Sequence, residues 1–373
     1  MLIRQLTLSI MASLYLSTAF AHPKHHHEES SSSSEHPDYS LMLKNNHNDE
    51  LRNQIVNVLL EKAYSKGDGE FLEQAEDLMK SSLNSSDTEN KLLETRLAQA
   101  NHNFSRAETI LNDVLKKDPK NYDAILQLAN IYRLQGQFNQ SLKLCDQLDQ
   151  QSVKLYQAGC VLQVDAMTKN ISEIKPRTNE LLQMATRLNK NDQQWLGNIM
   201  LEIATRFNDP TLASQSIPLL NVDNLPNALA KSNWYISQQE YSNAIKILTP
   251  YRYHDGALYR IILSKQKLND PLAEKDLNEL TQRVQNLLDH KDHIHLREQA
   301  QFLWISKKYD EGLRIAAKNW NMQRENDDFE VYAALALDSK NRESTEKLLN
   351  WSNETGYQNP TYIQKLKQML KQL

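Results

Sequence analysis

Histidine is the residue type whose spacing most suggests chemistry in this chain of 373 residues. Six of its eleven histidines fall between residues 22 and 47, in a stretch that also contains five consecutive serines. Neutral imidazole nitrogens bind copper, nickel and zinc, and histidine-rich tracts are typical of metal-binding segments. Two interpretations follow, a polar solubilising leader or an arm that collects metal. The candidate ligands of such an arm are His22, His25, His26, His27 and His36.

The segment in front of these histidines has the pattern of a secretory signal peptide. Arg4 is the single charge before an apolar run over residues 6–20, which ends beside Ala21. The run is shorter than the ~20 apolar residues that a membrane-spanning helix needs. We therefore predict cleavage after Ala21, a periplasmic or secreted protein, and no membrane insertion after cleavage.

Cleavage at this point would leave His22 as the first residue, with both its amine and its ring available to copper. Pro23 hinders the square-planar copper site that uses successive backbone amides, because proline has no amide proton to lose. A second histidine group lies at 290–295, where His290, Asp292, His293 and His295 match no standard zinc spacing. We interpret this second group as a solvated loop between helices.

The composition favours helices and excludes several classes of enzyme. The chain has only 8 glycines and 10 prolines, and it lacks the glycine-rich loops that hold nucleotide phosphates. It also lacks the sequence signatures of the common hydrolases. A net charge of -4 without a basic stripe gives no indication of nucleic-acid binding. We therefore predict a non-enzymatic protein without a cofactor, apart from copper, nickel or zinc on the histidine-rich stretch.

Residues typical of helix packing recur in this sequence at a spacing of 34. The two sets are Phe104, Ala107, Leu111 and Val114, followed by Phe138, Ser141, Cys145 and Leu148. This spacing is one helix-turn-helix unit of a solenoid, which buries its apolar faces by stacking. About nine such units fit into the residues that follow the histidine-rich stretch.

The unit at 121–148 resembles the tetratricopeptide repeat, because Leu128, Ala129 and Tyr132 take the family's first-helix positions for leucine, a small residue and tyrosine. Residues 103–119 are similar to another such unit. Further units resemble the family around Trp234 and at 300–316, where Gly312 replaces the alanine that the family prefers. The resemblance implies an all-α, superhelical solenoid of antiparallel helix hairpins.

The predicted organisation has three parts. We expect a signal peptide at residues 1–21, a disordered tether rich in histidine and serine at 22–48, and the solenoid at 49–373. A capping helix is expected from Asn359 to Leu373, because a terminal hairpin has no neighbour to cover its apolar face.

The resemblance also implies where a partner binds. First helices line the concave groove of such solenoids, and asparagine or arginine there can hold a peptide backbone or a carboxylate. Leu126 stands where the variant that binds chaperone C-termini needs a cation. The implied partner-binding residues are Arg96, Gln99, Asn130, Arg133, Asn233, Arg297, Gln301 and Trp304.

Cys145 and Cys160 fall on successive helices and have two interpretations. They form a disulfide, which an exported protein permits, or they are two small buried thiols.

The sequence thus favours an exported scaffold that binds a protein or peptide partner in the cell envelope. A metal-handling accessory protein that uses the histidine-rich stretch is the alternative. A role in assembling envelope polymers or surface structures is a third possibility.

Overall fold

The computed structural model describes residues 49–80, 87–150, 153–220, 223–289 and 295–372. Within these ranges the chain forms nineteen α-helices and no β-strand. Helices α1 to α18 pair in chain order into nine hairpins, and α19 follows the last hairpin. The predicted fold class, an all-α solenoid of helical hairpins, is confirmed. The predicted signal peptide and tether lie outside the described residues.

The helices are α1 (Asp49–Lys66), α2 (Gly69–Met79), α3 (Thr88–Ala100), α4 (Phe104–Lys117), α5 (Tyr122–Leu134), α6 (Phe138–Cys145), α7 (Lys154–Thr168), α8 (Ile171–Ala185), α9 (Lys190–Phe207), α10 (Pro210–Ser216), α11 (Leu225–Ser237), α12 (Tyr241–Leu248), α13 (Asp255–Lys267), α14 (Leu272–Asp289), α15 (Leu296–Ile305), α16 (Tyr309–Met322), α17 (Asn326–Asp338), α18 (Arg342–Thr355) and α19 (Pro360–Leu370). Short 3-10 helices follow α10 and α12. We refer to the odd-numbered helices from α1 to α17 as first helices.

Many of these helices begin at an asparagine or aspartate whose side chain accepts a backbone N–H of the first turn. This satisfies a donor that has no partner inside the helix and fixes where the helix starts. The residues that cap in this way include Asp87, Asn103, Asn121, Asn189, Asn224, Asn341 and Asn359.

Eight of the nine hairpin turns contain a residue with left-handed backbone geometry. Gly67 and Gly136 take this conformation without strain, since they have no Cβ. Residues with side chains adopt it in the other six turns, where it costs each roughly 1–2 kcal/mol. They are His102, Asn208, Gln239, Asn269, Lys307 and Lys340. Hairpin packing therefore fixes these turns more than their own sequence does.

The two residue sets spaced by 34 lie in the helix interfaces as predicted. All eight side chains are at most 4% exposed, and Phe138 belongs to a core cluster that also includes residues of the last hairpin. The hairpin α9–α10 is less regular than the hairpins that carry these two sets. Its second helix has only seven residues, begins at Pro210 and continues as the 3-10 helix Ile217–Leu219.

The superhelix closes on itself. Phe138 of α6 contacts Trp351 of α18, with ring centroids 6.1 Å apart, and the Gln358 N–H donates to the Met167 carbonyl at 2.7 Å. Helix α1 likewise packs against α11. Because early and late hairpins meet, the concave surface surrounds a central cavity. Helix α19, which lies in the segment predicted for the capping helix, contributes to the wall of this cavity.

Candidate functional site: the central cavity

The central cavity has a volume of about 630 Å³ and is lined mainly by the first helices from α5 to α17 and by α19. Cavities of roughly 300–1,000 Å³ are the usual size of ligand sites in proteins. Lys267 at the end of α13 and Lys365 on α19 are exposed residues of its lining, and we call these exposed positions the rim.

The cavity wall combines aromatic rings with amide side chains. An amide can donate and accept hydrogen bonds at once, as a peptide backbone requires of its partner. The amide residues are Gln163, Asn198, Asn208, Asn233, Gln239, Gln301, Asn326 and Asn359. The aromatic residues are Trp195, Tyr241, Tyr259, Trp304 and Tyr362.

Four of the eight residues predicted to bind a partner line this cavity: Arg133, Asn233, Gln301 and Trp304. Gln301 is only 5% exposed, and its amide has no hydrogen-bond partner within the ranges that the structure describes. The Gln301 amide is not among the fully buried polar atoms without a partner, so it is open to the cavity and available to a ligand. Trp304 donates its indole Nε1–H to Asp338 at 2.8 Å, which orients the ring at the cavity wall.

Two of the other predicted residues are buried between hairpins and not in the cavity wall. Arg96 donates to Asn57 Oδ1 at 2.6 Å and to Asp123 Oδ2 at 3.1 Å, so it connects α1, α3 and α5. Gln99 donates to Gln127 Oε1 at 2.9 Å. Both side chains are at most 3% exposed, and their described contacts stabilise the stacking of helices.

Asn130 and Arg297, the remaining two, are also buried away from the cavity wall. Asn130 Oδ1 accepts from Arg133 Nη2 at 2.9 Å. Arg297 binds Asp328 through two bonds, Nε to Oδ1 at 2.6 Å and Nη2 to Oδ2 at 2.9 Å, and it also reaches Glu325 at 2.8 Å. The eight residues predicted from the first helices therefore fall into two groups, four in the cavity wall and four buried between helices.

Four carboxylates line the cavity, and three of them form ion pairs with arginines. These pairs are Glu202 with Arg206 at 2.6 Å, Glu325 with Arg297 at 2.8 Å, and Asp327 with Arg260 at 2.9 Å. Glu330 has no ion pair with any residue in the described part of the chain. Its Oε1 accepts from Asn326 at 2.9 Å and from Asn359 at 3.1 Å. Burial, together with the charge of Asp327, raises the pKa of Glu330 to about 7.

Two tyrosines share this part of the cavity with Glu330. Tyr259 of α13 and Tyr362 of α19 both line it, and neither hydroxyl has a hydrogen-bond partner among the residues described. Burial raises the pKa of both tyrosines, and the charge of Glu330 raises both further, as expected for neighbours. Tyr259 is 7% exposed.

Sequence reasoning missed Glu330 and Tyr259, although a positional signal exists. Each is the fifth residue of its first helix, as Leu126 is in α5. Carrying that fifth position into α13 and α17 would have identified both side chains. Tyr362 offers no such signal, because α19 lies outside the repeat.

Cys145 and Cys160 form a disulfide that joins α6 to α7, with their Cα atoms 5.7 Å apart. Both residues are buried, so the bond lies inside the stack of hairpins. Of the two interpretations open from the sequence, the structure contains the disulfide.

The predicted metal ligands His22, His25, His26, His27 and His36 lie outside the described residues, as do His290 and His293. His295 is described, and it is a buried residue directly before α15. Across the ranges that the structure covers, no group of three or more His, Cys, Asp or Glu residues is placed to hold a metal ion. None of the described helices is both long enough and apolar enough to span a membrane.

The sequence model of the tetratricopeptide repeat family matches residues 98–158. This range runs from the end of α3 into α7 and contains Cys145 of the disulfide. No curated protein matches the chain. Repeats of this family are scaffolds for protein–protein interaction, and the same helical hairpins continue through the described residues on both sides of the match. From the matched repeat and this architecture, we conclude that the chain is a tetratricopeptide repeat protein.

Proposed function

We propose that this protein is an exported, non-enzymatic scaffold that binds a protein or peptide partner in its central cavity. The observation that carries the proposal is Gln301, whose amide lies in the cavity wall and forms no hydrogen bond with any residue that the structure describes. The amide-rich wall supports a polypeptide as the partner, because paired donors and acceptors suit an extended backbone. Trp304 adds an aromatic surface to the same wall. Asn233 adds a further amide, whose Oδ1 already accepts from Arg260 Nε at 2.7 Å.

Export is supported by two features that are independent of the cavity. Residues 1–21 have the pattern of a signal peptide, and the Cys145–Cys160 disulfide suits an oxidising compartment such as a periplasm or the cell exterior. The absence of hydrolase and nucleotide-binding signatures from the sequence supports a role without catalysis.

Filling the cavity tests the proposal. Ala230 of α11 lines the cavity, so Ala230→Trp would occupy its space, whereas Lys143→Trp places the same ring on an exposed position of α6. With the mature chain as bait in a cell-envelope extract, we expect a partner that Lys143→Trp retains and Ala230→Trp loses. Circular dichroism confirms that both variants fold. A partner that binds Ala230→Trp as well as the unmodified chain would contradict the proposal.

The second proposal, metal handling, is supported by the histidines at positions 22, 25, 26, 27 and 36. Here the histidine-rich stretch captures copper, nickel or zinc, and the solenoid docks a transporter or a recipient protein. Calorimetric titration of the mature protein with each metal tests this role. We expect binding with a Kd of about micromolar or lower that disappears when residues 22–47 are deleted. Equal binding by the deleted form would contradict it.

A further inference from the structure

One carboxylate of the central cavity forms no ion pair with any residue in the described part of the chain, and only the more distant charge of Arg206 acts on it. Glu202, Glu325 and Asp327 each have an arginine within 2.9 Å, whereas Glu330 has none within the part of the chain that the structure describes. A carboxylate that faces a cavity without an ion-pair partner is poorly stabilised until a ligand supplies a cation in contact with it.

We infer that the cavity takes a positively charged side chain of the partner, a lysine or an arginine, whose cation binds Glu330. This inference rests on the proposed function and specifies the chemistry of the partner.

The free hydrogen-bonding atoms around Glu330 fit a cationic donor. Both amide bonds to Glu330, from Asn326 and Asn359, end on Oε1, which leaves Oε2 without a described donor. The unpaired hydroxyls of Tyr259 and Tyr362 line the same cavity and can accept a hydrogen bond. An ammonium carries three donors, so a lysine bound at Oε2 keeps two donors for other acceptors of the cavity.

The cavity's own cations do not take this role. Arg206 is paired with Glu202 and Arg260 with Asp327, and Arg133 lies 3.7 Å from Glu325. The charge of Arg206 also acts on Glu330, but without an ion-pair contact, and it offsets only part of the effect of burial. The ammonium of Lys365 lies 5.2 Å above the ring of Tyr362, and it forms no ion pair with Glu330. Lys267 and Lys365 are both exposed at the rim, where they favour acidic residues beside the basic one.

A peptide series tests the inference on the full mature chain. The probes are acetylated and amidated pentapeptides of alanine with lysine, arginine, norleucine or glutamate in the centre. Calorimetry at pH 8 and the fluorescence of the cavity tryptophans measure binding. Glu330→Gln removes the charge and keeps an oxygen for Asn326 and Asn359, while Glu354→Gln changes an exposed glutamate of α18.

We expect the lysine and arginine peptides to bind about tenfold more tightly than the norleucine peptide, since a charged hydrogen bond contributes about 1.5–3 kcal/mol. This preference should disappear in Glu330→Gln and persist in Glu354→Gln. Equal binding of lysine and norleucine, an unchanged preference in Glu330→Gln, no detectable binding, or tighter binding of glutamate would each overturn the inference.

The source of the cation is tested with 1,5-diaminopentane, a free amine without a backbone. Binding as tight as that of the lysine peptide would assign the site to small amines and overturn the role of a partner side chain. Partner capture separates this inference from the proposed function. Capture lost in Ala230→Trp but unaffected by Glu330→Gln overturns the cation alone, whereas capture unaffected by Ala230→Trp overturns both.

Discussion

Arg297 of α15 and Asp328 of α17 form an ion pair with two hydrogen bonds, at 2.6 and 2.9 Å, and both side chains are at most 3% exposed. Asn319 of α16 donates to the same carboxylate at 2.6 Å, so three helices meet at one buried charge. Arg297 was predicted to bind a partner, but its described bonds hold adjacent hairpins together.

Removing this arginine should strongly destabilise the fold. Arg297→Ala leaves Asp328 buried without its cation, and we expect a loss of about 3–5 kcal/mol in the free energy of unfolding. Denaturation by urea measures this loss. Arg342→Ala, which breaks the exposed pair with Glu346 on α18, serves as the control and should cost under about 1 kcal/mol. Similar effects from the two variants would mean that the buried pair has no special role.

Unlike Arg297→Ala, the variant Glu330→Gln should stabilise the folded protein, and the size of this stabilisation should depend on pH. The folded-state pKa of Glu330 is about 7, above its ordinary value of 4.5. Its contribution to stability is therefore fully present below about pH 4.5 and lost as the pH rises through 7. We expect Glu330→Gln to be more stable than the unmodified protein at pH 8, by on the order of 1 kcal/mol, with the difference shrinking towards pH 4.5.

Thermal unfolding at several pH values, with Glu354→Gln as the matched control, measures this difference. A Glu330→Gln variant that is less stable at pH 8 would show that the carboxylate is stabilised inside the folded protein. That result would also remove the reason to seek a cation for it.

The Cys145–Cys160 disulfide closes a loop with a sequence separation of 15. Closing a loop of this length stabilises the folded state by about 3 kcal/mol in the chain-entropy model. Replacing both cysteines by alanine should therefore lower the midpoint of unfolding. A thiol assay on the protein purified without reductant should find no free thiol, and two free thiols per chain would contradict the disulfide.

The left-handed turn residue Lys340 offers a test of the hairpin geometry. Lys340→Gly should stabilise the protein by roughly 0.5–1 kcal/mol. Glycine relieves the backbone strain at φ 51°, and the greater flexibility of glycine in the unfolded chain offsets part of this gain. The same change at Lys347, an exposed residue within α18, should destabilise by about 1 kcal/mol. Equal signs at the two positions would contradict the turn geometry.

The repeat and its helices could be predicted from the sequence because their causes are local. Phe104 and Phe138 recur with the period of one hairpin, and Asn121 caps the helix that it precedes. The unit predicted at 103–119 contains the whole of α4, Phe104–Lys117.

The closure of the superhelix could not be predicted in this way. Contacts such as Phe138 with Trp351 join positions 213 residues apart (351 minus 138), and no periodicity encodes which hairpins meet. For the same reason the register did not separate Gln301, in the cavity wall, from Arg297, between helices. The two lie one helical turn apart in sequence, and their environments differ because Arg297 meets Asp328 of α17 whereas Gln301 faces the cavity.

The measurement that tests the central claim most directly is site-specific photocrosslinking in cells. A benzophenone amino acid at Trp304 places the reactive group in the cavity wall, and the same amino acid at Lys143 places it on an exposed face of α6. If the partner binds in the cavity, we expect a discrete crosslinked adduct from position 304 and no adduct of that size from position 143. No adduct from position 304, or the same adduct from both positions, would contradict binding in the central cavity.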